Sequence, residues 1–299
     1  MTSTDFKGLG VALITPFTKE GFVDFDSLAG LVDFQLSNGT AYIVVLGTTA
    51  ETPTLTNDER EQIVRFVVNK VQGRIPVVMG VGGNNTAELV RTLQAFDFTG
   101  VSAILSVTPY YNKPTQEGLY RHYCALSAVS PLPIILYNVP ERTGVNMTAE
   151  TTLRIAQECE NVIGIKEASG DMEQIKKITF ASRRGFSVIS GDDSVVTSVI
   201  QLGGVGVISV FANAFPGEMK WLVNNALNGY ALEAAEVMNH KYNELFRLLF
   251  VEGNPAGIKC LLSLRGMIQN EVRLPLIPVS DSTQRQIEHE LNKLTLSSS

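Results

Sequence analysis

Apolar, β-rich runs recur along the chain at near-regular intervals. They are VALITPF (11–17), AYIVVLG (41–47), IPVVMGVG (75–82), VSAILSVTP (101–109), PIILYNV (133–139), VIGIKEA (162–168), FSVISGD (186–192) and VGVISVFA (205–212). Runs that are apolar at nearly every position, rather than at alternate ones, belong in a parallel sheet covered on both faces. The stretches between them carry helical periodicity. After Thr56, the residues Ile63, Val64, Val67, Val68 and Val71 form one stripe, and Thr56 with Glu59 makes a capping box. TAELVRTLQAF (86–96) and DSVVTSVIQLGG (193–204) read the same way, the second stopped by glycine. Eight strand-helix units fit a closed (β/α)8 TIM barrel. An open doubly wound sheet more often has fewer strands and a glycine fingerprint after the first, and no GxGxxG or P-loop follows any strand here. Residues 217–299 show helical patterns without a comparable strand series. The expected organisation is therefore a barrel over 1–216 with a helical extension over 217–299 packed on it. The closing LTLSSS reads as a frayed tail.

Composition narrows the partners. The 299 residues are 44% hydrophobic, enough for a large core, and the net charge of −6 argues against a nucleic-acid or anionic-membrane surface. The opening MTSTDFKG lacks the basic-then-apolar order of a signal peptide, and no run approaches the roughly 18 apolar residues of a membrane span. A soluble, cytoplasmic protein acting on small molecules is expected. Cys124, Cys159 and Cys260 are far apart in sequence and lack a CxxC, so they read as reduced core thiols. His122, His240 and His289 are scattered, which leaves a zinc site without support.

In a barrel of this kind the active site lies at the carboxyl ends of the strands. Those ends read GTTAE (47–51), GVGGNN (80–85), TPYYNKP (108–114), YNVPERTG (137–144), GDD (191–193) and ISVFAN (208–213), while strand six supplies Lys166. Strict alternation places Val162, Gly164 and Lys166 on one face, so the lysine points the same way as a residue without a side chain. A strand-end lysine that stretches along apolar surface to water is the ordinary alternative. The sharper reading is an amine kept neutral part of the time by an apolar interior, able to attack a carbonyl. Tyr137, on the adjacent strand, can donate and accept the protons such chemistry moves. The GTT turn suits a carboxylate, offering two hydroxyls and close backbone approach. Arg142, in a loop held by proline and glycine, can grip a second carboxylate bidentately.

GTTAETPTL, VTPYYNKPTQEGLY, ILYNVPERTG, GIKEASGD and GGVGVISVFAN resemble, in order and spacing, the signature segments of the dihydrodipicolinate synthase family. That family belongs to the pyruvate-dependent class I aldolases, with N-acetylneuraminate lyase among its relatives. The resemblance implies condensation of pyruvate with aspartate semialdehyde to 4-hydroxy-tetrahydrodipicolinate, without metal or organic cofactor. It implies that Lys166 forms the Schiff base, that Tyr137 moves protons beside it, and that Thr48 links Tyr137 to Tyr111 of a neighbouring subunit. Thr49, Ile208 and Gly191 would line the pyruvate site, Arg142 would bind the second carboxylate, and the assembly would be a homotetramer of two tight dimers. Gly164 is expected to leave room for the lysine stem or its adduct.

Two departures stand out. Position 50 is alanine where the family usually has glycine, which costs about 1 kcal/mol if φ there is positive and little if it is helical. Thr52, Pro53, Asn84, Glu88 and Tyr110 match positions that bind inhibitory lysine in some members. Asn57 and Arg60 replace the histidines of well-inhibited members, so weak or absent inhibition is expected. The alternatives are a lyase for N-acetylneuraminate or a keto-deoxy sugar acid and, from another class, a non-catalytic keto-acid-binding barrel.

Overall fold

The computed structural model describes residues 6–296. Eight parallel strands close in chain order: β1 (Gly8–Ala12), β2 (Tyr42–Val45), β3 (Val77–Gly80), β4 (Ala103–Val107), β5 (Ile134–Asn138), β6 (Val162–Glu167), β7 (Ser187–Ser190) and β8 (Gly206–Ser209). Outside them run α1 (Phe25–Ser37), α2 (Asn57–Val71), α3 (Thr86–Ala95), α4 (Gln116–Val129), α6 (Ala149–Glu158), α7 (Met172–Ala181), α8 (Val196–Gln201) and α9 (Pro216–Leu227). A one-turn helix, α5 (Pro140–Thr143), interrupts the connection from β5 to α6. The remainder is α10 (Ala231–Leu248), α11 (Ala256–Leu264) and α12 (Asp281–Leu296). The TIM barrel expected from the periodicity is the observed fold.

Alternation within each strand builds two cores. Tyr42, Val44, Leu105, Ile135, Tyr137, Ile189 and Ile208 fill the barrel. Ile43, Val45, Ile104, Leu136, Ile165 and Val207 meet the helices. Each fully buried Val or Ile contributes about 1.5–3 kcal/mol, and burial on both faces is why the runs lack a polar alternate position.

Four local readings change. Strand β1 starts at Gly8 instead of residue 11 and ends at Ala12, because its first half is the glycine-containing GLG, with Gly10 lying under the Tyr42 ring. Strand β6 does not alternate throughout. The register slips between Ile134 and Ile135 of its neighbour, so Val162 packs outward and Ile163 packs against the inner core, and only from Gly164 does the expected phase hold. Helix α9, within the expected extension, packs on β1, β8 and α8, and so serves as the barrel's eighth outer helix. The end of the chain is also more ordered than expected. Helix α12 runs on through Leu296, seated by Ile287, Leu291 and Leu294, while the last three residues of LTLSSS lie outside the described residues.

Helix starts follow their sequences. Thr56 accepts from Glu59 N–H while the Glu59 carboxylate accepts from Thr56 N–H, forming the capping box. No helix among the described residues is long and apolar enough to cross a membrane.

Candidate active site

Register brings the two central residues together. Tyr137 on β5 pairs with Lys166 on β6, both side chains are buried, and Lys166 Nζ lies 4.4 Å from the centre of the Tyr137 ring. The next residue, Glu167, points to the opposite side of the sheet. There its carboxylate accepts from Asn138 Nδ2 (3.1 Å), Gln174 Nε2 (3.1 Å) and Ser169 N–H (2.8 Å), and burial pushes its carboxyl above the usual range. Lys166 therefore faces an aromatic ring and aliphatic walls, with the nearest acid in sequence engaged elsewhere.

The room beside Lys166 has a different origin from the one expected. A Cβ at Gly164 would stand 2.6 Å from Ser187 O, so that glycine permits close approach of β7 and does not serve the lysine. A Cβ at Gly191 would stand 2.6 Å from Ala168 Cβ and 3.1 Å from Lys166 Cε. Gly191, at the end of β7, clears the lysine stem.

The turn after β2 is held in an unusual backbone. Leu46 and Glu51 both have φ of 54°, flanking a 3₁₀ turn over Thr48–Ala50. Ala50 is within that helical turn and lacks a positive φ, so alanine fits where the family usually has glycine. Thr49 is buried and its Oγ1 accepts from Asn254 Nδ2 at 2.9 Å. The Glu51 carboxylate pairs with Lys259 in full burial and accepts from Arg273 N–H at 3.0 Å, while Lys259 also donates to Glu271 O at 3.0 Å. Residues far along the chain thus fix the turn that presents Thr48 and Thr49.

Thr48, Tyr137 and Arg142 line one cleft of about 950 Å³, which continues past Thr52, Pro53, Asn84, Glu88 and Tyr110. Arg142, on α5, is exposed, and its Nη2 reaches Asn254 O at 3.5 Å. Asn57 and Arg60 border the same cleft, with Arg60 Nη2 donating to Thr52 O at 2.9 Å. Ile208 packs in the inner core with Tyr137. Lys166, Thr49, Gly191 and Ile208 are not among the residues that line this cleft, and neither is Tyr111. Tyr111 is 85% exposed with φ of 73°, and the protomer does not bring it into the cleft.

Nothing local in the sequence marks Asn254 or Lys259, while Glu51 lies within GTTAE and Asp193 within GDD, neither with a role legible there. Asp193 is buried and accepts from Val210 N–H (3.0 Å) and Phe211 N–H (2.8 Å), tying β7 to the end of β8, and burial pushes its carboxyl up to about 6. The GDD run was its only signal. Among the described residues no three His, Cys, Asp or Glu side chains are grouped to hold a metal ion.

The sequence and fold have close counterparts. Residues 5–294 match the model of the Dihydrodipicolinate synthetase family. The chain is 54% identical over 296 residues to the 4-hydroxy-tetrahydrodipicolinate synthase of Parabacteroides distasonis, covering 99% of each. It is 52% identical to that of Phocaeicola vulgatus, also over 99% of each. The crystal structure of dihydrodipicolinate synthase from Thermotoga maritima superposes with a TM-score of 0.94 at 43% identity, covering 97% of this chain and 99% of that one. The enzyme from Aquifex aeolicus gives 0.93 at 42% identity over the same shares. With a barrel, a buried Lys-Tyr pair and near-complete alignment in agreement, this chain belongs to the dihydrodipicolinate synthetase family.

Proposed function

We propose that the protein is a lyase that condenses pyruvate with L-aspartate 4-semialdehyde through a Schiff base on Lys166, giving 4-hydroxy-tetrahydrodipicolinate for diaminopimelate and lysine synthesis. The observation that carries the assignment of the nucleophile is Lys166 Nζ over the Tyr137 ring at 4.4 Å in the apolar barrel mouth. Neutral Lys166 attacks the keto carbon of pyruvate, and Tyr137 passes the protons that turn the carbinolamine into an imine and water. Loss of a methyl proton gives an enamine, which adds to the aldehyde carbon. The amine of the second substrate then attacks the imine carbon, closing the ring and releasing Lys166.

The pyruvate carboxylate sits on Thr49 and the backbone of the GTT turn, with Ile208 and Gly191 at its sides. Arg142, exposed at the rim, takes the carboxylate of the semialdehyde. Tyr111 completes the relay to Thr48 and Tyr137 from a second copy of the chain. Its exposed ring and left-handed backbone support that role, because a strained, solvent-facing tyrosine is ready-made for a neighbour. The working form is at least a dimer, arranged as a tetramer of two dimers in the cytoplasm. Arg60, a fixed positive charge on the cleft that includes Thr52, Asn84 and Glu88, opposes binding of cationic lysine there, so feedback inhibition is weak or absent.

Turnover of pyruvate with aspartate semialdehyde, measured beside cleavage of N-acetylneuraminate and keto-deoxy sugar acids, tests the reading. Condensation alone supports it. Sugar-acid cleavage without condensation overturns it.

A further inference from the structure

Away from the mouth, two thiols read from the sequence as unrelated are neighbours. Cys124 Sγ, on α4, lies 3.4 Å from Cys159 Sγ, the residue that caps the end of α6, and both are free. Hydrogen bonds hold the two elements in place on either side of the pair. Tyr120 O–H donates to Glu158 Oε2 at 2.5 Å, with the Arg154 guanidinium 3.4 Å over the Tyr120 ring. On the other side Ser127 Oγ donates to Asn161 Oδ1, and Asn161 Nδ2 donates back to Ser127 O at 3.0 Å. Tyr120, Cys124 and Ser127 share one face of α4 at helical spacing, so three successive contacts face Glu158, Cys159 and Asn161.

We propose that Cys124 and Cys159 are a reversible disulfide-forming site that staples α4 to the end of α6. The oxidant is a peroxide. The Cys124 thiolate attacks one peroxide oxygen, the O–O bond breaks, and a sulfenic acid and hydroxide result. The Cys159 sulfur then attacks that of Cys124, forming the S–S bond and expelling the oxygen as hydroxide. The two thiol protons convert the two hydroxides into water. Burial above all, with Cys124 adding, pushes the Cys159 thiol up to about 11. Half-buried Cys124 is the more exposed of the two and so is the sulfur that peroxide reaches first. The sulfurs must close from 3.4 Å to about 2.05 Å. The bridge would span 35 positions of sequence, including β5 with Tyr137 and α5 with Arg142, while lying near the start of β6 and thus at the barrel end opposite Lys166.

The test treats the full-length protein with hydrogen peroxide and maps peptides without reduction. The expected result is one cross-linked pair, Cys124 to Cys159, with Cys260 still a thiol. The melting temperature should rise by about 5 °C, reversibly with dithiothreitol, while kcat is unchanged. Cys124→Ser should fold and lose both cross-link and shift. Oxidation of Cys124 to sulfinic acid without a cross-link, or a cross-link that leaves the melting temperature unchanged or lower, would overturn the proposal.

Discussion

Compare the outer ring of helices with the barrel mouth. In the ring, Asp24, Thr56, Asn85, Thr115, Thr148 and Asp171 each start a helix with a side-chain hydrogen bond, as their residue types favour. Gln72, which is left-handed, ends α2 at an ordinary place for that conformation. At the mouth, Leu46, Glu51 and Tyr111 hold left-handed backbone without such an excuse. Each costs about 1–3 kcal/mol and persists only where surrounding contacts over-determine it. For Glu51 those contacts are Lys259 and the Arg273 N–H. Local preference governs where the chain needs only to fold. It yields where side chains must converge on a substrate.

The largest expected effect falls on the mouth alone. Tyr137→Phe should lower kcat by about 10²–10⁴-fold with the melting temperature nearly unchanged, since the ring keeps its packing and loses only the proton carrier. Equal losses in rate and stability would erase the contrast. Glu51→Gln joins the two regions, because it leaves Lys259 buried without its charge partner. A loss of about 3–5 kcal/mol in stability is expected, with a raised KM for pyruvate as the GTT turn loosens. A destabilised variant with wild-type KM would detach the turn from the network.

Asp193 ties strand ends together at a cost that depends on pH. Its folded value is about 6 against an ordinary 3.8, so protonated Asp193 contributes stability that is complete below about pH 4 and is lost as pH rises through 6. Asp193→Asn lacks that loss. Its melting temperature relative to wild type should climb between pH 4 and 7, and a constant difference would contradict the assignment. The smallest effect belongs to the ring: Thr56→Ala should cost about 1 kcal/mol by removing the α2 cap and leave kcat untouched.

The same contrast explains what could be read in advance. Seven of the eight strands were legible in place because a strand buried on both faces must be apolar at nearly every position, whereas β1 begins in the glycine-containing GLG and was read three residues late. The Thr56–Glu59 cap was legible because its signal lies within four residues. Lys166 and Tyr137 were brought together by barrel closure, which places consecutive strand ends side by side. Asn254 against Thr49 and Lys259 against Glu51 span more than 200 positions, and nothing local marks such pairs. Gly164 and Gly191 could not be told apart without knowing which strand each one lets approach. The Cys124–Cys159 contact likewise depends on how α4 meets α6.

Incubation with pyruvate and borohydride, followed by peptide mass spectrometry, shows whether Lys166 is the amine that captures pyruvate. One reduced pyruvate adduct is expected, on the peptide carrying Lys166, and none in Lys166→Ala. No adduct, or an adduct on another lysine with Lys166 unmodified, would contradict it.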